Sequence, residues 1–208
     1  MEPTVNKETQ MSFIAEENGR NFEHCPAGMY LARCYWIIDL GTQKFENMGQ
    51  VMYLHKIKLG WEIHGSDDAG KPLKMMDGRP FAVFKNYTLS WSEKGELRID
   101  LESWRGKAFT QQELRQFDLK SALGAWCMVN VTERAGQNGN NYASVGGITP
   151  VPSMIEQNGL PEPVNSNAFF TLDDPDMEIF DNFSDRLKVK ITATPEWEQF
   201  QLGPDDDF

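Results

Sequence analysis

Cysteine and histidine are scarce, with three of each in 208 residues. The cysteines, Cys25, Cys34 and Cys127, are odd in number and form no CxxC pair, so a disulfide framework is not expected. His24-Cys25 offers half of a zinc site. His55 and His64 do not supply the other half at metal-ligand spacing, so neither a structural metal nor a cofactor is expected. No apolar run approaches the ~18 residues of a membrane-spanning helix, and no membrane partner is expected. Met1 to Arg20 is polar without a signal-peptide core, which predicts a cytoplasmic protein. Also missing are a P-loop, a GxSxG elbow, an HExxH pair and any other paired-histidine motif. Asp67-Asp68 could hold a cation, but beside Gly65, Ser66 and Gly70 these residue types more commonly build a turn. With no catalytic set assembled, the chain reads as a binding protein and not an enzyme.

Aromatic residues, by contrast, are abundant at 12%, including six Trp and thirteen Phe. That excludes a mostly disordered chain and gives a single domain of ordinary size a real core. The net charge of −11 argues at first against a nucleic-acid partner. Its distribution changes the reading. Residues 173–208 hold eleven acids and three bases, whereas 44–107 hold eleven bases and nine acids. A near-neutral body with a locally basic middle is therefore followed by a strongly acidic end. Such asymmetry marks a segment that meets the body or a partner, although an acidic end also serves solubility alone.

Tyr30 to Leu40 is rich in aromatic and β-branched residues and stops at Gly41, which predicts a first strand. Val51 to His64 is a second. Its Tyr53, Ile57, Leu59, Trp61 and Ile63 share one phase, and Leu54, Lys56, Lys58 and Glu62 the other, so one face is expected to be wet. Phe81 to Trp91 is a third strand after a turn-rich loop. The period then changes. Leu97, Leu101 and Trp104 are spaced for a helix, and Thr110 to Glu113 matches a capping box. Trp126 to Glu133 and Tyr142 to Val151 are a fourth and a fifth strand, joined by the turn signal Gln137-Asn138-Gly139-Asn140. Five strands with a helical insert between the third and fourth is the order of an OB-fold barrel. That fold binds oligonucleotides or oligosaccharides on its strand 2–3 face and flanking loops.

The expected architecture is thus mainly β: an extended lead-in over 1–28, an OB-fold domain over 29–152, and a linker with an amphipathic helix over 153–194. That helix carries Phe180, Phe183, Leu187 and Ile191, is capped near Asp181 or Ser184, packs on the barrel and is stopped by Pro195. Residues 195–208 are expected to be a mobile acidic tail.

Single-stranded nucleic acid needs a basic groove with rings on which bases stack. The predicted strands supply Arg33, Tyr35, Lys56, Lys58, Lys85 and Tyr87. Trp104, Arg105 and Lys107 follow the first helix, and Arg134 stands beside the last hairpin. Each also has a plain structural use. Lys56 and Lys58 fit a solvated strand face, and Tyr87 and Trp104 fit a core.

The chain ends Gly-Pro-Asp-Asp-Asp-Phe. This resembles the C-terminal tails of bacterial single-stranded DNA-binding proteins and of their short-tailed coliphage counterparts, in which acids precede a terminal aromatic residue. The resemblance covers Asp205, Asp206, Asp207 and Phe208. It implies a hook for replication or recombination proteins, the ring and its carboxylate entering an apolar, cation-lined pocket. Leu40-Gly41-Thr42-Gln43 and Trp104-Arg105-Gly106 resemble motifs in a family of phage replication-region proteins. Together these readings predict a phage protein, acting in the host cell's cytoplasm, that coats single-stranded DNA and possesses the capacity to form a homo-oligomer. Two alternatives from other classes are an acidic DNA mimic and a phage structural or assembly module that binds protein.

Overall fold

The computed structural model describes residues 23–66, 70–136 and 141–202. The fold is mainly β. Five antiparallel strands lie in the order β3-β2-β1-β4-β5. They are β1 (Gly28–Asn47), β2 (Gln50–His64), β3 (Ala82–Thr88), β4 (Trp126–Ala135) and β5 (Asn141–Thr149). The sheet curls so that its end strands β3 and β5 come into contact. No backbone ladder joins them among the described residues. Helix α1 (Glu96–Arg105) packs against both end strands. Its Asp100 accepts from Lys85 Nζ and the Tyr87 hydroxyl of β3, each at 2.7 Å, and its Ser103 donates to the Ile148 carbonyl of β5. The capping box forms as read: Thr110 and Glu113 satisfy each other's amides at the start of α2 (Gln111–Gln116).

Strand β1 runs seven residues past its expected end at Leu40, because Gly41 bends the strand without ending it. Its φ of +67° is open to glycine at no steric cost, and the Asp39 carboxylate accepts its amide at 2.8 Å. The register slips there by one residue, between Asp39 and Gly41, as in a β-bulge. β1 and β2 then continue as a two-stranded arm to a tight turn at Met48-Gly49, both with positive φ, the geometry that suits a twisted hairpin. A first slip, between Cys34 and Trp36, moves the inward phase from Ala32 and Cys34 to Ile37.

Two cores result, one on each side of the sheet. The inner one holds Cys34, Leu59, Trp61, Val83, Tyr87, Leu97, Cys127, Val129 and Ile148. The outer one holds Tyr35, Trp36, Ile38, Leu40, Phe170, Phe180, Phe183, Ile191 and Trp197. The face expected to be wet is therefore largely covered, and what covers it is the C-terminal segment. Beyond α3 (Ser153–Gln157), β6 (Ala168–Phe170) pairs parallel to Trp36–Ile38. Then follow α4 (Met177–Asp181), α5 (Asp185–Thr192) and α6 (Pro195–Leu202). Ser184, one of the two expected caps, starts α5, and the expected stripe is shared between α4 and α5. Pro195 starts α6 and does not merely stop a helix, as suits a residue whose missing amide is unneeded in a first turn. Residues 195–202 are thus packed structure, with Trp197 only 5% exposed and stacked on Phe180 at 4.4 Å. Each large side chain buried here contributes roughly 1.5–3 kcal/mol, which makes the segment integral to the fold. No helix among the described residues is long and apolar enough to cross a membrane.

Candidate nucleic-acid interface

The predicted site residues divide sharply by environment. Arg33 is buried. Its Nε donates to Glu62 at 2.7 Å, one Nη to Asn167 Oδ1 at 2.5 Å and the other to the Asn165 carbonyl. Glu62, fully buried, also accepts from His64 and from the Val164 and Asn165 amides. Burial alone would raise its carboxyl, but the bonds from His64, Arg33 and those amides outweigh it and hold it at about 2. This cluster ties residues 164–167 to the sheet. Tyr35 is 2% exposed and Tyr87 1%, both in cores where no base can reach them. Trp104 is buried as well, its Nε1 donating to the Trp126 carbonyl. Lys85 stands opposite Leu59 in the inward phase and is held by Asp100. Lys56, Lys58 and Lys85 therefore do not line one groove, and Arg33, Tyr35, Tyr87, Trp104 and Lys85 serve the fold.

On the α1–α2 connection, Arg105 pairs with Glu113 at 2.5 Å and lies over Phe109, while Lys107 is exposed, 3.8 Å from the same Glu113. Arg134 is exposed opposite Tyr142 on the β4–β5 hairpin. The turn at 137–140, the acids at 67–68, most of the lead-in and the four tail residues Asp205 to Phe208 lie outside the described residues.

Lys56 and Lys58 are different. They project from the outer face of β2, where Thr88 and Asn86 of β3 are their neighbours. Lys56 Nζ lies 4.6 Å from the Phe45 ring and donates to Thr88 Oγ1. Lys58 Nζ lies 4.8 Å from Phe84 and 5.5 Å from Trp36, and has no hydrogen bond or ion pair among the described residues. The rings are brought there by Gly60, which stands opposite both Trp36 and Phe84. A Cβ on Gly60 would come within 2.6 Å of the Phe84 ring. Its absence lets Phe84 lie across β2 and meet Trp36 edge to face at 5.2 Å. Burial pushes the Lys58 ammonium down to about 8, and the cations Lys190 and Arg186 of α5 push it further the same way. Lys56 is lowered too, by burial and by Lys190, against the pull of Glu96. The result is a strip in which Lys56 and Lys58 lie over Phe45, Trp36 and Phe84, with the exposed Arg186 and Lys190 close enough for their charges to act on Lys58. Cations over ring faces are favourable, but an ammonium without a counter-charge remains available to an anion.

Sequence reasoning missed both the rings and the α5 cations. Phe45 lay beyond the expected end of the first strand, Phe84 read as an ordinary strand residue, and the α5 bases were lost in an acidic segment. Gly60 inside a strand pattern was the available signal, since such a glycine marks a close approach. The described residues include no group of three His, Cys, Asp or Glu able to hold a metal. No protein-family model matches the chain, and no curated protein is significantly similar to it.

Proposed function

We propose that this chain binds single-stranded DNA with little sequence preference, along the outer strip of β1–β2–β3, where strands are displaced during phage replication or recombination. The observation that carries the reading is Lys58: a half-buried cation with no counter-charge among the described residues, set on two aromatic rings and beside two further cations. Phosphates supply the missing charge and bases the flat apolar partner. The strand order β3-β2-β1-β4-β5, with α1 between β3 and β4, suits an OB-fold, whose ligands lie on this face. A DNA mimic would present carboxylates where Lys56, Lys58 and Lys190 stand. The tail residues Asp205 to Phe208 would then recruit partner proteins.

Mobility shift with a single-stranded oligonucleotide across a salt series tests the reading. The expected result is salt-dependent binding, with a log–log slope of about −0.7 per phosphate neutralised. No binding at low salt, or equal preference for duplex, would sink it.

A further inference from the structure

We infer that two copies of this chain associate through the free edge of the β1–β2 arm, antiparallel about a two-fold axis at Phe45. The inference does not rest on the DNA-binding reading. Along the arm, residues 43–47 of β1 have no further strand on their outer edge among the described residues, because β4 pairs only with 28–33 and β6 with 36–38. The direction of the backbone groups at this edge follows from two bonds. The Thr42 amide donates outward to the Glu196 carboxylate, and the carbonyl of His55, opposite Thr42, accepts outward from the Leu89 amide. Thr42 and His55 are thus a pair that bonds away from each other. Antiparallel pairs alternate in this respect, so Lys44 and Glu46 also turn their amides and carbonyls out to the free edge. Thr42 is already taken by Glu196, which leaves Lys44 and Glu46 as the bonding positions.

A second copy adding antiparallel has few registers. Lys44 opposite Lys44, or Glu46 opposite Glu46, sets like charges face to face, which destabilises a strand pair. Lys44 opposite Glu46 of the other copy satisfies the same backbone groups and places two opposite-charge pairs across the joint. Charges on an edge ordinarily keep strands apart. Here the two bonding positions carry opposite signs, so the edge is complementary to itself. The two-fold lies perpendicular to the ribbon, so both copies show the same face on one side. That face carries Phe45, 38% exposed, and its cross-strand neighbour Met52, 41% exposed. It also carries Lys56, whose Nζ sits over Phe45. The joint therefore abuts the two rings and makes the lysine strips of both copies one track. With the ladder confined to residues 44–46, the contact is small, and association is weak and dependent on concentration.

Sedimentation velocity of the full chain, at low salt and without DNA, tests this over a wide concentration range. The expected mass climbs toward that of a dimer. Lys44→Glu and Glu46→Lys each raise the dissociation constant at least ~5-fold, since each makes both pairs across the joint like-charged. The double variant K44E/E46K restores it. Circular dichroism melts confirm that each variant folds. A monomer at every concentration overturns the inference, and so does a dimer indifferent to the single reversals or not restored by the double one. Because no DNA is present, failure here leaves the oligonucleotide result untouched, and the converse holds.

Discussion

The outer face of the sheet has two ends that treat buried charge in opposite ways. At the Arg33–Glu62 end, every charge is matched: Glu62 gathers an arginine, a histidine and two backbone amides. At the Lys56–Lys58 end, cations gather on aromatic rings and the charges that act on Lys58 are two more cations. Taking an ion out of water is costly unless it is paired. The first end meets that cost within the chain and uses the ions to fix the 164–167 segment. The second leaves it unmet, and its ions are available to something outside the chain. Side chains of similar type, a few residues apart on the same strands, thus serve architecture in one place and, on the reading proposed above, recognition in the other.

The contrast breaks first, and with the largest effect, at Glu62. The substitution Glu62→Gln keeps the shape but leaves Arg33 buried without a counter-charge. We expect a loss of about 3–5 kcal/mol in urea unfolding. A loss below ~1 kcal/mol would mean that Arg33 finds other partners and that this end is not held by charge. Acid provides a second measure. The Glu62 carboxyl is lowered in the folded state, to about 2 from 4.5. Its contribution is therefore fully present above 4.5 and lost as pH falls from there toward about 2. The difference in stability between the wild type and E62Q should shrink across that window.

Lys58 should behave in the reverse manner. Lys58→Glu is expected to weaken binding of single-stranded DNA about tenfold or more and to flatten the salt dependence by about one phosphate contact. Lys58→Met, which keeps the stem over Phe84, should shift stability by less than ~1 kcal/mol, because a lost cation–ring contact offsets a relieved desolvation cost. The folded ammonium is lowered to about 8 from 10.5. The folded state therefore sheds its proton first, and wild-type stability gains relative to K58M as pH rises between those values. If K58M instead destabilises as severely as E62Q, Lys58 belongs to the architecture and the comparison fails.

Strand and helix periods made most of the body legible. The second to fifth strands and α1 fall within a few residues of their expected limits, and Thr110 and Glu113 form the expected box. What escaped was set by tertiary contact. Gly41 read as a stop because a bulge and a strand end use the same residue. β6 is three residues long and owes its state to Trp36–Ile38 beside it. α6 begins at a proline and shows no clear apolar stripe, since Trp197 alone of its residues is buried. The site was half legible. Lys56 and Lys58 stood out by alternation. Arg33 and Tyr35 shared their face, but nothing local reveals that Glu62 and the C-terminal segment bury them. Lys85 was assigned to the groove although strand pairing puts it opposite Leu59, in the inward phase.

The smallest expected effect lies between the two ends and concerns how firmly the C-terminal cap is held. His55, at the root of the arm, contacts Asp39 at 2.7 Å through Nε2 and lies 3.5 Å from Glu196 of α6 through Nδ1. Glu196 in turn accepts the Thr42 amide. The hydrogen bond to Asp39 raises the imidazole above 6.5 against its partial burial, with Asp39, Glu196 and Asp173 adding charge in the same direction. A raised pKa means that the stabilisation is complete below 6.5 and is lost as pH climbs through the folded-state value. The ring is about one-third exposed, so solvent screens the pair and the contribution should stay below ~1 kcal/mol. Amide exchange of α6, corrected for the intrinsic pH dependence, should therefore quicken across that rise in the wild type and be flat in His55→Asn. Such a dependence would show that charge also secures the cap beside the Lys56–Lys58 end. If both proteins exchange alike, the cap is held there by Trp197 and its ring neighbours alone, and matched charge is confined to the Arg33–Glu62 end.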